Sequence, residues 1–178
     1  MKSHHCLHVL FWTILLSSTL VSCASAQTEA ISLASFTENY VEVSICLERN
    51  SAGNYVLSAT FTPPNGYHLY SKDIPVTGID GLGRPTLLEL PPESLMKTSG
   101  PLLENVEAQV PDFGSRELLV YPPGAVTLSL PVELPVSNGW IEDELEVTYM
   151  ACSAGQCKPP VVAKRVLVPI PGVDILDD

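Results

Sequence analysis

Val41-Glu42-Val43-Ser44-Ile45-Cys46-Leu47 alternates apolar and polar side chains without a break. Successive side chains of a strand point to opposite faces, so this period of two puts Val41, Val43, Ile45 and Leu47 on one face and predicts a half-buried β-strand. Working outward, Tyr55, Leu57, Ala59 and Phe61 repeat the pattern, with Ser58 and Thr60 between them. Val126, Leu128, Leu130, Val132 and Leu134 form a third set, and Leu145, Val147, Tyr149 and Ala151 a fourth, after the turn signal Asn138-Gly139. Residues 161–168 continue the series, whereas residues 91–114 are irregular and read as loop-rich. Sixteen prolines spread along 178 residues argue against long helices. Many short strands separated by Pro and Gly turns predict an all-β fold, an immunoglobulin-like antiparallel β-sandwich.

The N-terminus reads as an export signal. Lys2 is the only formal positive charge before the apolar run 9–16, which is long enough for the centre of a signal peptide and too short to span a bilayer. Leu20-Val21-Ser22-Cys23 resembles a bacterial lipobox and makes Cys23 a candidate for lipidation; the overlapping Ala24-Ser25-Ala26 offers ordinary cleavage after Ala26 instead. The expected organisation is a signal peptide over 1–23, a tether over 24–35, one domain over 36–172 and an acidic tail over 173–178. Such a chain belongs in the bacterial cell envelope, in the periplasm or at the outer surface, held there by lipid if the lipobox is used.

Removing the leader narrows the chemistry. His4, His5, His8 and Cys6 leave with it, so His68 is the sole remaining histidine. No CxxC pair, no second histidine at ligand spacing and no GxSxG motif is left, so metal sites and nucleophile triads have too few residues to build on; no cofactor and no metal are expected. The formal charge of −11 becomes −12 without Lys2, which disfavours nucleic acid and anionic lipid as partners.

Two cysteines remain close together, in Tyr149-Met150-Ala151-Cys152-Ser153-Ala154-Gly155-Gln156-Cys157-Lys158-Pro159-Pro160. A disulfide needs Cα atoms about 4.4–6.8 Å apart, so the chain must turn back between them, and Gly155 is the residue expected to allow it. A loop of about six residues contributes only ~2 kcal/mol of closure entropy, against ~4.7 for about a hundred, so a staple here would do little. If Leu145, Val147, Tyr149 and Ala151 face the core, Cys152 falls on the opposite face, and its thiol is expected near the surface. Lys158, next to Cys157, is a positive neighbour that would favour a thiolate there. The competing reading is a hairpin disulfide that only pins the last strands. Cys46 lies on the polar phase of its strand with no evident partner.

The same twelve residues resemble the active-site segment of the N-terminal periplasmic domain of the bacterial transmembrane thiol:disulfide interchange protein, the DsbD family. Asn65-Gly66-Tyr67-His68-Leu69-Tyr70-Ser71-Lys72-Asp73-Ile74-Pro75-Val76-Thr77 is similar to the strand beside the cysteines in that family, and with Leu128-Ser129-Leu130-Pro131-Val132 the resemblance spans about residues 36–171. It implies an immunoglobulin-like electron-relay domain, a protein-disulfide reductase module whose pair is reduced by one thioredoxin-like protein and reduces others. Cys157 would form the mixed disulfide and Cys152 would resolve it. Asp112-Phe113-Gly114 would supply a cap loop with Phe113 as the shield, and Tyr70 matches an active-site aromatic. His68 stands where other members carry Tyr and reads as a plain surface strand residue. Two departures stand out. Some members place five residues between the cysteines where this chain has four, and the membrane-embedded and thioredoxin-like domains of the full-length protein are not expected in this chain, so electrons would come from separate polypeptides such as a membrane disulfide reductase. Two other classes stay open at this point: a binding module with a structural disulfide, and a copper-handling protein in which Met150, Cys152, Cys157 and His68 converge.

Overall fold

The computed structural model describes residues 30–112 and 114–176 of the chain. Along it run β1 (Ile31–Glu38), β2 (Val41–Arg49), β3 (Tyr55–Thr62), β4 (His68–Leu69), β5 (Leu87–Glu89), β6 (Lys97–Thr98), β7 (Leu103–Glu104), β8 (Val126–Glu133), β9 (Trp140–Tyr149), β10 (Ala151–Cys152) and β11 (Val161–Pro171), followed by the one-turn helix α1 (Val173–Leu176). One sheet has the order β1-β2-β3-β8-β6, with β7 also on β8; a second has the order β11-β9-β5; β10 and β4 form a small third sheet. Every ladder is antiparallel.

The alternation in the sequence is the alternation in the core. Val41, Val43, Ile45 and Leu47 of β2, Leu57, Ala59 and Phe61 of β3, and Val126, Leu128, Leu130 and Val132 of β8 are buried against Leu145, Val147 and Tyr149 of β9 and Val168 and Ile170 of β11. Phe61 and Tyr149 meet edge-on across the two layers, with ring centroids 5.5 Å apart. Two sheets sharing one apolar interior make the immunoglobulin-like antiparallel sandwich.

Three expectations need correction. The domain begins before residue 36: Ile31 and Leu33 carry the alternation back, and β1 pairs with β2 from Ile31↔Leu47 onward, so residues 31–35 are strand and not tether. The acidic end is partly fastened, since Val173 N–H donates to the Pro135 carbonyl at 3.1 Å and Leu176 packs on the core. Residues 91–112 are loop-rich as expected, and a residue that hydropathy does not single out ties them down. Asp143, 6% exposed at the inward phase of β9, accepts from Ser94 Oγ at 2.9 Å and from the Leu95 and Met96 N–H groups at 3.0 Å each. Finally, β11 does not run straight from Val161. Its register on β9 slips between Val161 and Lys164, where Ala163 takes a φ of 46°, which is a β-bulge beside the cysteine hairpin. The signal peptide, Cys23 and the cleavage sites lie outside the described residues.

Candidate functional site: a hairpin disulfide at the end of strand β9

After Tyr149 the chain changes partners. Met150 leaves the β11-β9-β5 sheet, and Ala151 and Cys152 pair instead with Leu69 and His68 of β4. Residues 153–156 then turn back, so that Cys157 stands opposite Cys152 as an isolated antiparallel bridge. The turn has its own hydrogen bonds. Ser153 N–H donates to the Gln156 carbonyl at 2.8 Å, and Lys158 N–H donates to the Ala151 carbonyl at 2.8 Å. The two sulfurs are bonded, with Cα atoms 4.0 Å apart. Gly155 is not what permits this bend. Its φ lies outside the left-handed region, and a Cβ built there would meet nothing within 4 Å.

The partners are unequal. Cys157 is exposed, whereas Cys152 is 2% exposed and packs with Tyr70, Ile74, Leu118 and Val120 in a second small apolar cluster. The surface position expected for Cys152 is therefore wrong, and the change of partners explains it. Beyond Met150 the outer face of the strand is covered by the segment that follows β4 and by residues 118–120, so the two-residue period no longer decides which side meets water.

His68 is likewise buried, 9% exposed, and is not a surface strand residue. Gly66, at a φ of 80°, turns the chain just before it, with Tyr67 N–H donating to the Pro64 carbonyl at 3.0 Å. The imidazole meets the Tyr70 ring edge-on at a centroid distance of 5.4 Å. Burial pushes the His68 pKa down and the Tyr70 pKa up. Beyond β4, Tyr121 N–H donates to the Leu69 carbonyl at 2.9 Å, and Val120 exchanges hydrogen bonds with Gln109. That arrangement brings the loop containing Asp112 over His68, and the two line a cavity of about 260 Å³ together with Val120 and Tyr121. Asp112 itself is exposed. Phe113, the expected shield, lies outside the described residues.

Lys158 has a different neighbourhood from the one its position in the sequence suggests. Its ammonium sits over the ring of Tyr40, 4.1 Å from the centroid, and 5.2 Å from that of Tyr67. Tyr40 occupies the turn between β1 and β2, at a φ of 68°, and is exposed. The Gln156 amide donates to the Tyr67 hydroxyl, and that bond, followed by Lys158, holds the Tyr67 pKa below the usual phenol range. Tyr40, Tyr67 and Gln156 thus flank Cys157 although sequence reading did not select them. For Tyr40 the only signal was its place in a two-residue turn between alternating runs. Cys46 is free and half-buried on the other sheet, with its thiol pKa pushed up by burial and by Glu48. Among the described residues no group of three or more His, Cys, Asp and Glu side chains is placed to hold a metal ion, and no helix is long and apolar enough to cross a membrane.

Fold and site together define an all-β sandwich that carries a disulfide on a short hairpin, with one cysteine exposed and the other buried. Among solved structures, the chain is similar to the reduced N-terminal domain of DsbD from Neisseria meningitidis, at 21% identity over 65% of this chain and 76% of that one, with a TM-score of 0.41. No protein-family model and no curated protein matches the chain.

Proposed function

We propose that the chain is an exported thiol:disulfide interchange domain that relays electrons through Cys152 and Cys157 between thioredoxin-like proteins of the bacterial envelope. The observation that carries this reading is the asymmetry of the pair: Cys157 is an exposed residue, and the Cys152 bonded to it is buried inside the domain. Disulfide exchange needs that arrangement, because the partner must reach one sulfur in line while the second waits to resolve the adduct. A staple needs neither, and the hydrogen bonds across the turn already hold this hairpin. The resemblance of residues 149–160 to a relay motif points the same way.

In this reading Cys157 forms the mixed disulfide and Cys152 resolves it. Tyr70 walls the buried cysteine, and the loop that carries Asp112 lies beside His68 and would give way to a partner. Lys158, with Tyr40 and Tyr67, shapes the face on which the partner docks. Export and a lipid anchor at Cys23 belong to the same proposal, with electrons arriving from a separate polypeptide. Equilibration with dithiothreitol or glutathione buffers, followed by thiol alkylation, tests it. A relay pair should titrate in the range of thioredoxin-like proteins, roughly −270 to −120 mV, whereas a midpoint below about −300 mV would mark a structural bond.

A further inference from the structure

To resolve a mixed disulfide held at Cys157, Cys152 has to attack as a thiolate. Its surroundings oppose that, because an apolar cluster of Tyr70, Ile74, Leu118 and Val120 favours the neutral thiol. A buried nucleophile of this kind needs a proton acceptor beside it. His68 stands directly opposite Cys152 in the β4–β10 ladder. Opposed residues of an antiparallel pair project to the same face, with Cβ atoms about 4.5–5.5 Å apart. Tyr70, two residues on from His68, lies on that face as well, with its ring against the imidazole and within the cluster around Cys152.

We propose that His68 is the proton acceptor for Cys152 in the resolving step, an inference that rests on the relay reading of the cysteine pair. The proton of the Cys152 thiol passes to the unprotonated ring nitrogen of His68, and the freed sulfur electron pair forms the bond to Cys157 Sγ. The bond between Cys157 and the partner's sulfur breaks as that bond forms. The partner leaves as a thiolate, now reduced, and the domain's pair is left oxidised. The imidazolium returns its proton to the departing thiolate or to solvent through the cavity that His68 shares with Asp112.

The other groups around His68 fit this role. Tyr70 is held neutral by burial. Tyr121, on the cavity wall, donates its hydroxyl proton to Glu104 at 2.5 Å, and Asp112 faces the cavity from the loop. Of the cations nearby in sequence, Lys72 pairs with Asp73 at 2.8 Å and Lys158 is set over Tyr40 and Tyr67. Burial also keeps the imidazole unprotonated at neutral pH, which is the form that accepts.

The test uses the full chain carrying Cys6→Ser, Cys23→Ser and Cys46→Ser, reduced and mixed with excess dithiobis(nitrobenzoate) in a stopped-flow absorbance instrument. The first thionitrobenzoate released reports the adduct at Cys157. The second, at a rate independent of reagent concentration, reports attack by Cys152. With His68 as acceptor, the second rate should level off by about pH 7.5, below the ordinary thiol pKa of about 8.5. His68→Gln should slow it by about 100-fold near pH 7, and the variant's rate should then climb about tenfold per pH unit until the gap closes in alkali. A wild-type rate that climbs through about pH 8.5 without levelling overturns the proposal whether or not the variant folds. So does a His68→Gln rate equal to wild type, or one lower by the same factor at every pH. If the wild type gives no second release, the relay reading falls and takes this inference with it.

Discussion

Replacing both cysteines, Cys152→Ala/Cys157→Ala, should separate folding from chemistry. Closing a loop of about six residues stabilises a domain by only ~2 kcal/mol through the unfolded chain. Losing the buried Cys152 sulfur removes about one methylene's worth of apolar contact, ~1 kcal/mol, because the alanine Cβ stays in the cluster with Tyr70 and Val120. The exposed Cys157 adds nothing comparable, and the hydrogen bonds of Ser153 and Lys158 across the turn remain. The total, about 3 kcal/mol, is less than the 5–15 kcal/mol by which domains of this size are usually stable. At about 2–4 °C per kcal/mol, the melting temperature should fall by roughly 6–12 °C. Circular dichroism melts and urea titrations measure the fold, and reduction of an insulin disulfide or of an oxidised thioredoxin-like protein measures the exchange. The variant should be folded at room temperature and wholly inactive. A double variant already unfolded at room temperature would refute the reasoning, since the disulfide would then supply most of the domain's stability.

Asp143→Ala should be the more damaging change: it strands the hydroxyl of buried Ser94 and the Leu95 and Met96 N–H donors, costs about 3–5 kcal/mol, and should lower the urea midpoint further than the double cysteine variant does. Cys152→Ala should accumulate a mixed disulfide between Cys157 and a thioredoxin-like partner, seen on a non-reducing gel with the linked peptides identified by mass spectrometry, while Cys157→Ala should trap little. Burial lowers the folded-state pKa of His68 below its ordinary 6.5, so its contribution to stability is complete above 6.5 and is lost as pH falls through the lowered value. Urea midpoints measured from about pH 7.5 to pH 5 should therefore drop in the wild type and stay flatter in His68→Gln.

The strands were legible because a period of two is a local property, and Val41 to Leu47 and Val126 to Val132 are buried on the phase their alternation gives. What a local period cannot report is where a strand changes partners. Phase put Cys152 outside, and so it would be if β9 continued on β11. At Met150 the chain instead joins β4, and the segment after it covers the outer face. The same blindness misplaced His68, whose flanking residues look like a surface strand until β10 and residues 119–121 close on either side. Lys158 was assigned by adjacency to Cys157, but its ammonium also sits over Tyr40, an aromatic more than a hundred residues away in the sequence. Asp143 escaped notice for a related reason: an acidic residue on an apolar phase reads as a break in the pattern, and only the loop it caps shows why it is inside.

These misreadings converge on one physical point about the proposed relay. Had both sulfurs been exposed, a partner could attack either, and charge from Lys158 would have been needed to choose between them. With Cys152 enclosed by Tyr70, Leu118 and Val120, access alone would make the choice in the proposed relay, before any thiol is ionised. In that relay, the enclosure that would direct a partner to Cys157 would also disfavour the thiolate that must later form on Cys152. Selectivity in the first step is thus bound to a proton problem in the second. A titratable side chain directly across the ladder from Cys152, rather than one beside Cys157, is where the fold can answer it.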